Sequence, residues 1–87
     1  MSDETLLEFP CDFPIKIMGD NSAEFEATVI GIVRQHVPDL GEGAIRQNQS
    51  SKGNYLSLTI TIRAESKAQL DDLYRALSAC ELTKMVL

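Results

Sequence analysis

Several kinds of chemistry are missing from this sequence, and the gaps narrow what it can do. It has one histidine, His36, and two cysteines, Cys11 and Cys80, which lie 69 positions apart (80 minus 11) with no C-x-x-C pair. A metal chaperone or structural zinc site needs several thiolates or imidazoles close together, so no metal and no other cofactor is expected. Eight basic residues stand against thirteen acidic ones, for a net charge of −5. Binding to nucleic acid draws on clustered Lys and Arg, and here the basic residues are scattered. Asp3, Glu4, Glu8 and Asp12 even crowd the N-terminus with no basic residue among them. Nucleic acid is therefore not expected as a partner. Nor is a membrane, because no apolar run approaches the ~20 residues of a span. The start Met1-Ser2-Asp3-Glu4 is acidic where a secretory signal is basic, which predicts a cytoplasmic protein with reduced thiols.

What is present is one strong alternation. Ser51-Lys52-Gly53-Asn54-Tyr55 reads as a tight turn and leads into Leu56-Ser57-Leu58-Thr59-Ile60-Thr61-Ile62-Arg63. Leu56, Leu58, Ile60 and Ile62 fall on one face, with Tyr55, Ser57, Thr59, Thr61 and Arg63 on the other. That pattern predicts an antiparallel sheet with one buried and one wet face. With 87 residues the chain is one domain, with room for a single core and little room for a deep substrate cavity.

The remaining elements follow from spacing. Residues 1–12 read as a tail anchored through Leu6, Leu7 and Phe9, and residues 13–87 as the domain. A first strand spans Phe13 to Gly19, with Pro14 restricted to its beginning or to a free edge. Gly19-Asp20-Asn21 turns into a helix that Asn21 or Ser22 caps, with Glu24 at capping-box spacing from Asn21. Phe25, Val29, Ile32, Val33 and His36 form its stripe, and Pro38 ends it. Gly31 inside the helix suggests a close approach. Ala44 to Gln49 is a polar strand suited to a sheet edge. Ser66 opens a second helix with Gln69 completing a capping box, Leu70, Leu73 and Leu77 as its stripe, and Tyr74 alongside. Leu82 to Leu87 forms the last strand. Packing both helices on the apolar side of the sheet predicts an α+β ferredoxin-like βαββαβ sandwich, strand order 4-1-3-2. It also places Cys11 and Cys80 at opposite ends of the sheet, too far apart for a disulfide.

Leu7-Glu8-Phe9-Pro10, Lys16-x-Met18-Gly19, Val33-x-Gln35-His36, Ser50-Ser51-Lys52-Gly53-Asn54-Tyr55 and Met85-Val86-Leu87 together resemble the YbeD family. These are small bacterial proteins without an assigned function, and the likeness runs over nearly the whole chain. The resemblance implies a ferredoxin-like fold similar to the ligand-sensing ACT domains, and a gene neighbourhood shared with lipoate attachment enzymes. It supplies no catalytic residues.

Candidate sites are few. Exposed Ser57, Thr59 and Thr61 are not the stacking aromatics of an RNA-recognition domain, and Asp20, Asn21 and Ser22 stand where an acylphosphatase-like loop would carry arginine. His36 reads as a helix-end residue bonded to the last carbonyls. Ser51, Lys52, Gly53, Asn54 and Tyr55, with Lys16 and Arg63 on the wet face, form the candidate surface for a protein partner or a second copy. Lys52 and Tyr55 would be its tip, and the competing reading is a solvated hairpin in which Gly53 and Asn54 supply positive φ. Lys16, Met18, Ser57, Thr59, Thr61 and Arg63 share the wet face, which either packs against such a partner or is simply solvated. The leading expectation is a non-catalytic regulatory or interaction module. The alternative is an ACT-like sensor holding a metabolite at a dimer seam near Gly19, Asp20, Asn21 and Ser22, and an enzyme ranks last.

Overall fold

A computed structural model describes residues 8–87. Strand β1 (Cys11–Asp20), helix α1 (Ala23–His36), strands β2 (Ile45–Gln49) and β3 (Tyr55–Ala64), helix α2 (Lys67–Ala79) and strand β4 (Thr83–Val86) follow in order, with a short 3-10 turn at Glu42–Ala44. All strand pairs are antiparallel, and the sheet runs β2-β3-β1-β4, the expected order read from its other edge. This is the ferredoxin-like α+β sandwich.

Alternation builds the core. Ile15, Ile17, Leu58 and Ile60 point to one face and are completely buried, as are Phe25, Val29 and Val33 of α1 and Leu73 and Leu77 of α2. Full burial of each such side chain contributes ~1.5–3 kcal/mol. Ser22 caps α1 by accepting the Phe25 amide at 3.0 Å. Ser66 caps α2 by accepting the Gln69 amide at 3.1 Å. Gln69 then reaches in two directions. Its Oε1 accepts the Glu65 amide, and its Nε2 donates to the His36 carbonyl at 3.0 Å, so the start of α2 is tied to the end of α1. His36 lies within 3.0 Å of the Ile32 carbonyl through Nδ1, the helix-end role its position suggested.

Several sequence expectations need correction. β1 begins at Cys11, not Phe13, because β3 extends to Ala64 and provides partners for Cys11 and Asp12 in the register Cys11↔Ala64, Asp12↔Arg63. Those two residues are therefore strand and not tail. Phe9 packs against the core, whereas Leu6 and Leu7 lie outside the described residues. β2 starts at Ile45 and β4 covers Thr83–Val86, each shorter than its spacing suggested. Gly31 faces open space, with nothing within 4 Å of a Cβ built on it, so close packing does not explain it. The Asn21–Glu24 box does not form, since Ser22 is the cap. Gly53 has φ +75, while Asn54 keeps negative φ.

Pro14 sits in a central strand without losing a ladder bond. Lys16 exchanges backbone bonds with Leu87 on the β4 side. Two residues earlier, Pro14 directs its nitrogen to that same side, where β4 provides no partner. Cys11 and Cys80 are both free thiols. Cys80 leads into Thr83, which pairs with Gly19, eight residues along β1 from Cys11 (19 minus 11), or ~26 Å.

Candidate functional site

The turn after β2 is built by its own backbone. Gly53 N–H donates to the Ser50 carbonyl at 2.8 Å, and Ser50 N–H donates to the Tyr55 carbonyl at 3.0 Å. Ser50 Oγ also accepts the Tyr55 amide at 3.1 Å. This leaves Ser51, Lys52 and Asn54 exposed at the tip.

The tip is locked onto the end of β1. Asn21 N–H donates to the Asn54 carbonyl at 3.0 Å, and its side-chain Nδ2 donates to the Gly53 carbonyl at 2.9 Å. Asp20 pairs with Tyr55 in the ladder. The two candidate groups, Ser51–Tyr55 and Gly19–Ser22, therefore form one corner of the molecule. Within it Ser22 is occupied as the helix cap and Asn21 as the clamp. Gly19 is fixed by close approach: a Cβ there would collide with Phe25 Cε1 and lie 2.6 Å from the Leu82 carbonyl oxygen.

The face of the sheet away from the helices completes the corner. Lys16 stands opposite Thr59, and Met18 opposite Ser57. On the other side Met18 stands opposite Met85, and the register then shifts, so that Gly19 pairs with Thr83 and Lys84 is the extra residue of a bulge. Lys84 Nζ lies 3.8 Å from Asp20 Oδ1, an exposed pair worth little by itself. Met18, Gly19, Tyr55, Lys84 and Met85 line a shallow depression of about 310 Å³. Lys16, Met18, Ser57 and Tyr55 contribute to a second, of about 170 Å³, and Ser51, Lys52 and Tyr55 to a third, of about 220 Å³. Tyr55 is the ridge common to all three.

Exposure there is unusual for such residues. Tyr55 and Met85 are each 49% exposed and Leu87 61%. Ser57, in contrast, is 7% exposed, so the open face is not uniformly wet. Arg63 does not join the corner. It sits eight residues along β3 from Tyr55 (63 minus 55), ~26 Å away, in a 3.4 Å ion pair with Asp12. That end has its own depression of about 280 Å³, lined by Asp12, His36, Asp39, Arg63, Glu65 and Gln69 among others.

Met85, Lys84 and Leu87 did not stand out in the sequence. The signal was present in Met85-Val86-Leu87, where alternation puts Met85 and Leu87 on one face. Only the pairing of β4 with β1 places Met85 beside Met18. Among the described residues no group of three or more His, Cys, Asp or Glu is arranged to hold a metal ion, and no helix is long and apolar enough to cross a membrane.

Comparison with known proteins agrees with this fold. A family model described as "Protein of unknown function (DUF493)" matches residues 4–87. A UPF0250 protein of Janthinobacterium sp. (strain Marseille) is 55% identical over 84 residues, covering 97% of this chain and 92% of the relative. A UPF0250 protein of Nitrosomonas europaea is 46% identical over 87 residues and matches end to end, covering 100% of both chains. The resemblance to small bacterial proteins without an assigned function therefore holds. Among solved structures, the ACT domain from the GTP pyrophosphokinase of Chlorobium tepidum superposes with a TM-score of 0.63 at 19% identity, covering 88% of this chain and 97% of that one. The C-terminal domain of the MgtC protein from Mycobacterium tuberculosis superposes with a TM-score of 0.66 at 15% identity, covering 93% of this chain and 88% of that one. At such identities the likeness is one of fold.

Proposed function

We propose that this chain, which belongs to the DUF493 family, is a non-catalytic regulatory module of the bacterial cytoplasm that acts by protein contact through the Tyr55 corner. The observation that carries this reading is the apolar group Met18, Tyr55 and Met85 on a sheet face that no layer of the described residues covers. Scattered exposed apolar residues need no explanation, but a contiguous patch with polar neighbours suits an interaction surface. The clamp from Asn21 to Gly53 and Asn54 holds the corner rigid before any partner arrives, which lowers the ordering cost of binding.

A ligand sensor is the second reading, favoured by the likeness to an ACT domain. Asn21 Nδ2 and Ser22 Oγ are already engaged within the chain, which leaves fewer groups for a metabolite near Gly19–Ser22 and favours a site shared with a second copy. A bound metabolite raises thermal stability by mass action, whereas a protein adaptor shows no such shift across a metabolite panel. A link to lipoate metabolism rests on the family resemblance alone.

The test is a tagged pull-down from native bacterial extract, comparing wild type with Lys52→Glu plus Tyr55→Ala. A partner retained by wild type and lost by the folded double variant supports the reading. The same partner on both proteins removes the corner from it.

A further inference from the structure

The protein carries a net charge of −5, yet three of its four lysines, Lys16, Lys52 and Lys84, gather at one corner. The residues lining the three depressions around Tyr55 include those lysines and not one Asp or Glu. Asp20 lies beside them, 3.8 Å from Lys84, and offsets one of the three positive charges. Among the described residues, other carboxylates lie elsewhere, including Glu24 and Glu26 on α1, Asp71 and Asp72 on α2, and Asp12, Asp39 and Glu65 around the depression at the far end. The lysines surround Met18, Tyr55 and Met85, and methionine adapts its shape to whatever apolar group it meets.

Building on the protein-contact reading above, we infer that this corner binds an acidic segment of another protein. One large apolar side chain of that segment seats between Met18, Tyr55 and Met85, and its carboxylates face Lys16, Lys52 and Lys84. Charge complementarity selects this occupant over a second copy packed face to face. In a two-fold pairing of the open faces centred on Thr59, Lys16 and Arg46, which flank it on either side, would bring the cations of both copies into one patch. Like charges placed opposite each other across an interface are strongly unfavourable. An acidic segment meets no such penalty, and its attraction to the lysines weakens as salt rises.

The test is selection of peptides from an unbiased display library on the immobilised full chain, followed by titration of the selected peptides against methyl-labelled Met18 and Met85. The expected peptides are rich in Asp and Glu around one aromatic or large aliphatic residue, and they shift both methyl signals. Lys16→Glu plus Lys84→Glu should weaken them by about tenfold or more and switch the selection to basic peptides. Met85→Ser should weaken them while leaving the acidic preference intact. Circular dichroism verifies the fold of each variant, whose substituted side chains are exposed.

Neutral or basic peptides selected by wild type would overturn the inference, as would no enrichment at all. So would acidic peptides that bind the charge-reversed variant equally well, or a lysine-dependent RNA complex. A dimer of the free chain that Tyr55→Ala dissociates would also overturn it. The protein-contact reading fails separately: non-acidic peptides that shift Met18 and Met85 sink the inference and leave that reading standing.

Discussion

The two faces of this sheet are made by the same strands, yet they answer to different physics. On the covered face Ile15, Ile17, Leu58 and Ile60 are wholly buried against two helices, and their apolar character is explained by packing. On the open face Met18, Tyr55 and Met85 alternate with them along the same backbone but support no core. The open face itself is uneven, with lysines around an apolar corner at one end and the Asp12–Arg63 pair at the other. Residues that stabilise the fold and residues available for contact are thus interleaved one by one. A substitution can therefore move one position along a strand and change from a folding defect to a binding defect.

That contrast is broken most severely from the covered side. Leu58→Ala should cost about 2–5 kcal/mol in denaturant unfolding, from lost burial and the cavity left behind. Gly19→Ala comes next, at about 1–3 kcal/mol, because its Cβ meets both the Phe25 ring and the rigid Leu82 carbonyl. Gly31→Ala tests the outer surface of α1, where nothing lies within 4 Å. There the substitution should stabilise by about 1 kcal/mol, and a loss would show that the helix packs there after all. Tyr55→Ala and Met85→Ser should change stability by less than about 0.5 kcal/mol while weakening partner retention. If they unfold the chain, the open face belongs to the fold.

Tyr74 links the two layers and gives a pH signature. Its ring packs edge-on to Phe13 at 6.5 Å, and its hydroxyl donates to the Leu87 carbonyl at 3.2 Å. Burial raises its pKa above the usual value of 10.0. The folded chain therefore holds this proton to higher pH than the unfolded chain does. The resulting stability is intact below the usual tyrosine value of 10.0 and is lost as pH rises through the raised folded value. Tyr74→Phe should remove that alkaline decline, which melting temperatures measured across the range would report.

Much of the fold was legible because its signals are local. Leu56 to Ile62 alternate without a break, and Ser66 with Gln69 marks a helix start within four positions. Several missed features are matters of pairing. Cys11 and Asp12 carry no strand signal of their own and become strand because Ala64 and Arg63 stand opposite. Asn21 reads as a capping residue until the fold brings Gly53 and Asn54, more than thirty positions away, within its reach. The corner was half legible. Lys52 and Tyr55 stand out within a turn motif, but Met85 and Lys84 join them only through the pairing of β4 with β1, Lys84 as the residue of a bulge. The fold at large says less than these residues do, because a ferredoxin-like sandwich hosts many functions.

The most direct test of the open corner as a contact surface is photo-crosslinking in living bacteria. A photoreactive residue replaces Tyr55 in one strain and Asp71, exposed on the helix layer, in another. The prediction is a discrete crosslinked protein through position 55 and none through position 71. Crosslinking through 71 alone, or equal labelling from both positions, would contradict it.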